Sequence, residues 1–401
     1  MSSLYFERPH GTRDYIMREL EAKHQIESVI RQVFNAWGYD WIATPLLEYE
    51  ETVRQGLHKE EEEQLYRLFD AAGRTIVLRP EMTTPVARVV ATLLAGAPEP
   101  LHLAYMERTL RRAPIRSNES SEVTQAGVEL LGDRTPDADA EVVGVMISVL
   151  QAVGVRSFRV AVGHTGYVGA LLQGLPNPVQ QDLRRALLRK DAVRYEQLLD
   201  QHKDMLSAVE LEGLLSLPRI RGGKEAIVEA KKYASRPEAL AACRDLEVFY
   251  DALMAMEMAE AVQFDLGLYL EHDYYTGILF EGYVPTLGLP ICFGGRYDNL
   301  LERFGRAMPA TGGVLHVERL LSVIDHTHTA ARRFELWVED EQDRPLAYAF
   351  AQYLRQLGFA VRLYRNLPPA VSEARESGVF KVGEFFTDDE GLQILYLEFT
   401  Q

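Results

Sequence analysis

Gln125 and Glu129 fall on one face of a strand-like stretch, with only Gly127 between them. Residues 123–131 alternate. Val123, Gln125, Gly127 and Glu129 take one side, and Thr124, Ala126, Val128 and Leu130 take the other. A glycine at the centre leaves space above the sheet for another group to approach closely. A carboxylate and an amide over such a gap suit a small cationic ligand, because both accept from N–H groups. A solvated polar sheet face is the plainer alternative. Glu81, between Pro80 and Thr83, has two readings as well. It can line a site, or it can complement the N-terminus of a helix that follows. Tyr274 and Tyr275 offer hydroxyls, or simply two packing rings. Arg108, Arg111, Arg112 and Arg116 form a basic run that reads as a solvated loop face, and Gly294-Gly295-Arg296-Tyr297-Asp298 reads as a turn.

Other chemistries find no support. The chain has no G-x-x-x-x-G-K-[ST] phosphate loop, no G-x-G-x-x-G and no Cys/His zinc spacing. His326 and His328 sit in a polar linker, and Asp388-Asp389-Glu390-Gly391 reads as an acidic turn. Cys243 and Cys292 are too few for a disulfide framework and read as buried free thiols in a reducing cytoplasm. The first eight residues lack the basic and apolar regions of a signal peptide. No apolar run approaches the roughly 20 residues that span a bilayer. With 43 Lys+Arg against 59 Asp+Glu, the net charge of −16 argues against an extensive polynucleotide surface.

The elements that must position these residues follow from periodicity. Ile26, Val29, Ile30, Val33, Phe34 and Trp37 recur at helical spacing and stop at Gly38. Strands are predicted at 41–44, 74–79, 123–131 and 157–162, and helices at 84–94 and 139–153. From about 166 to 258 the pattern is mostly helical. Strand signals resume at 264–284, a short helix is predicted at 298–304, and 312–320 reads as a strand running into a helix. After the linker come strand 334–339, helix 344–357, strand 360–364 and a last strand at 393–399. The 401 residues carry no internal repeat.

Order and spacing together resemble a class II aminoacyl-tRNA synthetase core of the histidyl type. Gly38-Tyr39 through Thr44-Pro45-Leu46-Leu47-Glu48 is similar to motif 1, with Pro45 at the family's dimer-interface proline. Leu78-Arg79-Pro80-Glu81-Met82-Thr83 resembles Leu-Arg-Pro-Glu-Gly-Thr. Arg111 and Gln125-Ala126-Gly127-Val128-Glu129 resemble motif 2, Gly312 through Arg319 resembles motif 3, and Gly294 through Asp298 matches a family block. Leu270-Glu271-His272-Asp273-Tyr274-Tyr275 is similar to the family's Arg-Gly-Leu-Asp-Tyr-Tyr, which holds histidine. The resemblance implies an α+β fold: an antiparallel sheet core flanked by helices, with a helical insertion and a small C-terminal α/β domain. The expected divisions are 1–165, 166–258, 259–325 and 334–401. It also implies that Glu81, Thr83, Gln125, Glu129, Tyr274 and Tyr275 line a histidine pocket.

The departures are as specific as the matches. Leu270 stands where the synthetases place an arginine that stabilises charge. Arg111-Arg112-Ala113-Pro114 and Glu119-Ser120-Ser121-Glu122-Val123 replace Arg-His-Glu-Arg and Arg-Tyr-Arg-Gln-Phe, and His316 replaces a glycine. Arg111 and Arg319 remain as candidate phosphate contacts. This combination resembles the non-catalytic, regulatory-subunit family of ATP phosphoribosyltransferase. That resemblance implies a cytoplasmic hetero-oligomer with a short-form catalytic subunit, self-association as a dimer, L-histidine as a feedback ligand, and no cofactor, metal, tRNA or membrane. A divergent histidyl-tRNA synthetase and a stand-alone histidine- or tRNA-binding paralogue are the alternatives. Residues 332–401 hold eight basic and twelve acidic side chains, a balance unlike that of an anticodon reader.

Overall fold

The computed structural model describes residues 7–57, 59–113, 120–270, 274–324, 333–337, 341, 344–364, 385–387 and 393–398. The predicted linker with His326 and His328, the acidic turn at 388–391, Arg116, Glu119 and the Glu271-His272-Asp273 stretch lie outside them. Two compact units divide at residue 324.

The first unit is built on a nine-stranded sheet. Its strands are β1 (Asp40–Trp41), β5 (Leu101–Leu110), β6 (Glu122–Leu131), β7 (Arg159–His164), β8 (Arg221–Gly222), β9 (Val262–Asp265), β10 (Ile278–Tyr283), β11 (Cys292–Arg296) and β12 (Ala310–His316). They run in the order β1-β5-β6-β12-β11-β10-β7-β9-β8. Antiparallel pairing links β5 through β6, β12, β11 and β10 to β7, and parallel pairs lie towards the ends. A separate three-stranded sheet joins β2 (Leu47–Tyr49), β3 (Arg67–Phe69) and β4 (Thr75–Leu78) in the order β2-β4-β3.

Helices cover the back of the large sheet. α1 (Met17–Ala36) buries Ile26, Ile30 and Phe34, one every four residues, so a single stripe faces inward. It ends where Gly38 takes φ +80°, a left-handed conformation that glycine adopts without a Cβ clash. α2 (Thr83–Ala91) follows β4. α3 (Pro136–Ala152) starts with proline at its first position and two aspartates in its first turn. Val142, Val143, Val145, Met146, Ile147, Val149 and Leu150 are all buried, because α3 is enclosed on more than one side. Between 165 and 255 lie six helices, α4 (Thr165–Leu172), α5 (Asn177–Leu188), α6 (Ala192–His202), α7 (Ala208–Ser216), α8 (Lys224–Tyr233) and α9 (Pro237–Ala255). Their Tyr167, Leu199, Leu214, Ile227 and Phe249 share one core with Val160, Val162 and Phe264 of the sheet. α10 (Val317–Val323) continues directly from β12.

Gly294 through Arg296 departs from the turn reading. It is part of β11, a strand paired on both sides. The glycines serve close approach of neighbouring strands. A Cβ on Gly294 would meet the Gly312 carbonyl at 2.2 Å, and one on Gly295 would meet the Ile278 carbonyl at 2.6 Å. The helix expected at 298–304 shrinks to a 3₁₀ turn at Leu301–Phe304, and the strand at 41–44 shrinks to Asp40–Trp41. Cys243 and Cys292 are buried free thiols. Among the described residues, no helix is long and apolar enough to cross a membrane.

The second unit holds β13 (Arg333–Trp337), β14 (Ala360–Tyr364), β15 (Phe385–Thr387) and β16 (Gln393–Glu398), ordered β14-β13-β16-β15, with α11 (Arg344–Gln356). β13 runs parallel to both neighbours. Phe334, Leu336, Ala347, Ala351 and Leu354 are buried.

Candidate functional site

The front face of the sheet is set by register. Glu129 lies opposite Leu103 and Gly312, Gly127 opposite Tyr105 and Val314, and Gln125 opposite Glu107 and His316. Paired residues project from the same face, so these side chains gather over β5, β6 and β12. The space above Gly127 is taken by Tyr105. A Cβ on that glycine would lie 2.4 Å from the Tyr105 hydroxyl. Gly312 makes room for Glu129 in the same way: a Cβ there would lie 1.7 Å from Glu129 Oε2.

Glu129 is the centre of the site and is only 1% exposed. Thr83 Oγ1 donates to its Oε1 at 3.0 Å, and the Tyr105 hydroxyl donates to the same oxygen at 3.4 Å. The Tyr297 hydroxyl donates to Oε2 in a short hydrogen bond. Burial pushes the carboxyl up to about 8, with nearby Glu81 adding to the shift. The donations from Tyr297, Thr83 and Tyr105 oppose it without cancelling it. An ammonium or imidazole N–H brought here would meet a buried carboxyl group already oriented by three hydroxyls.

Glu81 serves both readings. Its two carboxylate oxygens accept from the Thr84 backbone N–H at 3.1 Å, at the start of α2, and it also lines the cavity. Tyr274 packs against Tyr275 and Tyr297, with ring centroids 5.0 and 5.9 Å apart.

Two adjoining cavities result. The smaller, about 30 Å³, is lined by all six residues expected to hold the ligand: Glu81, Thr83, Gln125, Glu129, Tyr274 and Tyr275. Arg111 also reaches it. The larger, about 520 Å³, is lined by Arg111, Arg112, Arg319, His316 and Leu270 among others. The cavities share Arg111, Gln125 and Phe293. Arg111 is no freely solvated loop residue. It donates to the Pro80 carbonyl at 2.9 Å and to the buried Glu61 carboxylate at 2.8 Å. Arg319 donates to the Pro290 carbonyl. Leu270 is 8% exposed and packs with Leu268 and Leu279.

Pro45 lies apart from both cavities. It is exposed, on the loop leading to β2. Buried Arg79 donates to the Thr44 carbonyl at 2.6 Å and pairs with Glu107 at 2.5 Å, which ties this loop to β5.

Tyr105, Phe293 and Tyr297 line the smaller cavity as well, and none of them stood out as a site residue in the sequence. Tyr297 sits inside the Gly294–Asp298 block, which was the available signal. The signal for Tyr105 is a bulky residue opposite a glycine, and it needs the strand register to be seen.

The fit around Gly312 carries a prediction. Gly312→Ala should drive the Glu129 carboxylate from the Tyr297 hydroxyl. Overpacking of this kind costs about 1–3 kcal/mol. Urea unfolding should show the lowered midpoint, and an unchanged midpoint would mean the site has slack that the geometry does not show.

A histidyl-tRNA synthetase family model matches residues 11–320. An ATP phosphoribosyltransferase regulatory subunit of Halalkalibacterium halodurans is 40% identical over 322 residues, 80% of each chain. One of Geobacter sulfurreducens is 33% identical over 398 residues, covering 97% of this chain and 90% of the relative. A crystal structure described as an ATP phosphoribosyltransferase regulatory subunit/histidyl-tRNA synthetase from Bacillus halodurans superposes with a TM-score of 0.86 at 34% identity over the whole of both chains. The class II synthetase-like sheet and this similarity along nearly the full length agree, and the chain belongs to the family of ATP phosphoribosyltransferase regulatory subunits.

Proposed function

We propose that this chain senses L-histidine for a short-form catalytic ATP phosphoribosyltransferase subunit and confers feedback inhibition on the first step of histidine biosynthesis. That step transfers the phosphoribosyl group of 5-phosphoribosyl diphosphate to ATP, giving phosphoribosyl-ATP and releasing diphosphate, in the cytoplasm. The observation that carries the reading is the convergence of Glu81, Thr83, Gln125, Glu129, Tyr274 and Tyr275 on one buried cavity. The pocket supplies carboxylates and hydroxyls for a ligand bearing several N–H groups. Leu270, packed among leucines, brings no charge to stabilise a reaction there. The chain therefore acts through a partner, without a cofactor or tRNA. Histidine must favour one conformation of the complex, since a ligand with equal affinity for both shifts nothing.

Reconstitution tests this reading. The catalytic subunit should show a changed rate and histidine inhibition only when this chain is present, and Glu129→Ala should move that inhibition to roughly ten- to hundredfold higher histidine. Inhibition of equal strength without this chain, or undiminished in the variant, would place the histidine site elsewhere.

The reading includes self-association through the Pro45 region. Leu47 and Tyr49 of β2 share a face with Ile76 and Leu78 of β4 and with Leu68 of β3. Leu47, Tyr49 and Leu68 are 47%, 40% and 44% exposed. An apolar sheet face this open to water suits an interface. Leu47→Asp combined with Leu68→Asp should convert a dimer to a monomer in sedimentation velocity. Unchanged sedimentation of the double variant would remove this face from the interface.

A further inference from the structure

Three tyrosines of the amino-acid pocket come from two separate segments. Tyr274 and Tyr275 precede β10, and Tyr297 follows β11. The β10–β11 ladder ends with Leu279 opposite Gly295, so strand pairing stops short of all three rings. They still form one cluster, with Tyr274 between Tyr275 at 5.0 Å and Tyr297 at 5.9 Å. A contact beyond the ladder must therefore fix one segment against the other. A pocket whose walls are loose by about 1 Å loses its hold on a ligand, and the Tyr297 hydroxyl has to stay on Glu129.

Thr276 makes that contact by straddling Tyr297. Its backbone N–H donates to the Arg296 carbonyl at 2.8 Å, and its hydroxyl donates to the same carbonyl at 3.4 Å. The Asp298 backbone N–H donates to the Thr276 hydroxyl at 3.1 Å. The residues before and after Tyr297 are thus both held by the residue that follows Tyr275. The frame on the far side is fixed as well. The Arg296 side chain crosses Gly277, where a Cβ would meet its Cδ at 2.9 Å. Its guanidinium donates to the Asp139 carboxylate at 3.0 Å and to the Asp133 and Thr135 carbonyls at 2.9 Å. The Tyr297 N–H donates to the Ala310 carbonyl at 2.7 Å, and Asp298 Oδ1 accepts the Ala310 N–H at 3.1 Å. Thr276 itself lines neither cavity.

We propose that Thr276 is a positioning residue of the amino-acid pocket: by bridging Arg296 and Asp298 it holds the Tyr297 hydroxyl on Glu129 and beside Tyr274 and Tyr275, and so sets ligand affinity without touching the ligand. This role rests on the reading of the pocket as a histidine site. The hydroxyl matters more than the shape. Valine fills nearly the same space and keeps the backbone donor to Arg296, but it offers the Asp298 N–H no acceptor. The turn that carries Tyr297 is then fastened to β12 through Ala310 and released from Thr276 on its Asp298 side.

The test is calorimetric titration of the full-length chain with L-histidine. Thr276→Val should weaken binding roughly three- to tenfold, the effect of about one neutral hydrogen bond. Thr276→Ser keeps the hydroxyl and should stay within about twofold of wild type. A double-mutant cycle with Tyr297→Phe separates positioning from general support of the fold. If Thr276 acts through the Tyr297 hydroxyl, Thr276→Val should change the affinity by less than about twofold once that hydroxyl is gone. Thr276→Ala removes the same hydroxyl and carries the same expectations, so it decides the matter if Thr276→Val loses its fold. Wild-type affinity in a folded Thr276→Val or Thr276→Ala variant would overturn the proposal. So would an equal loss in Thr276→Ser, or an undiminished effect in the Tyr297→Phe background. Absence of L-histidine binding by the wild type would instead overturn the sensor reading, and this role with it, so the wild-type titration tells the two failures apart.

Discussion

Glu129→Ala is expected to lower the affinity for L-histidine roughly ten- to hundredfold, the loss that follows from removing one charged hydrogen-bond partner worth about 1.5–3 kcal/mol. Glu129 is the group in the pocket whose every oxygen is aligned by another side chain. Its removal deletes the acceptor to which the Thr83, Tyr105 and Tyr297 hydroxyls donate. Glu129→Gln separates charge from shape, since it keeps the volume and an acceptor oxygen. It should lose most of the same affinity if the ligand is cationic at that point. Tyr275→Phe, which removes one hydroxyl from the pocket wall, should cost less. Calorimetry on the three variants decides the order. Equal affinity in all of them and the wild type would disprove the pocket assignment.

The same carboxyl gives a stability signature in the empty protein. Its folded value near 8 stands above the ordinary 4.5, so between those values the folded state holds a proton that the unfolded state has released. Stability from this group is therefore complete below about pH 4.5 and declines as pH rises towards 8. Glu129→Gln has no proton to lose. Its melting temperature relative to wild type should rise from pH 5 to pH 9, and the other titrating groups cancel in that difference.

Much of the site was legible because period-two alternation is a local property. Residues 123–131 placed Gln125 and Glu129 on one face, and β6 spans Glu122–Leu131. Glu81 and the two tyrosines needed the family resemblance, since each has an ordinary structural use. Glu81 does cap α2, and the tyrosine rings do pack. Tyr105 was hidden for another reason. Its partnership with Gly127 exists only through the β5–β6 register, which pairs residues 22 positions apart. The glycines of β11 misled because Gly-Gly reads as a turn locally. Only the backbones of β10 and β12 on either side explain why a paired strand lacks side chains there. The Arg296 side chain follows the same rule. Its bond to Asp139 at 3.0 Å joins residues 157 positions apart, and no local pattern predicts it.

Exchange of diphosphate into ATP by the purified chain should be no faster with L-histidine than without it. Forming an adenylate places charge on the transferring phosphorus and on the leaving group, and each preorganised donor aimed at that charge is worth about 10²–10³ in rate. By the resemblance to the synthetases, the position that would supply one such donor is Leu270, which packs against Leu268 and Leu279 at the edge of the larger cavity. Ser121, which the resemblance sets against a second synthetase arginine, is used to fasten the chain. Its hydroxyl donates to the His10 carbonyl at 3.1 Å and accepts from the Ala113 N–H at 3.1 Å. Leu270→Arg alone should therefore not restore exchange. The new guanidinium would enter a leucine cluster, and a charge buried there without a partner is strongly disfavoured. Among the described residues of that cavity wall, Glu318 is paired with Lys23 and Glu281 already holds the Tyr283 hydroxyl. Histidine-dependent exchange at synthetase-like rates in the wild type would show that catalytic charge enters from residues other than these. The chain would then have to be read as an enzyme in its own right.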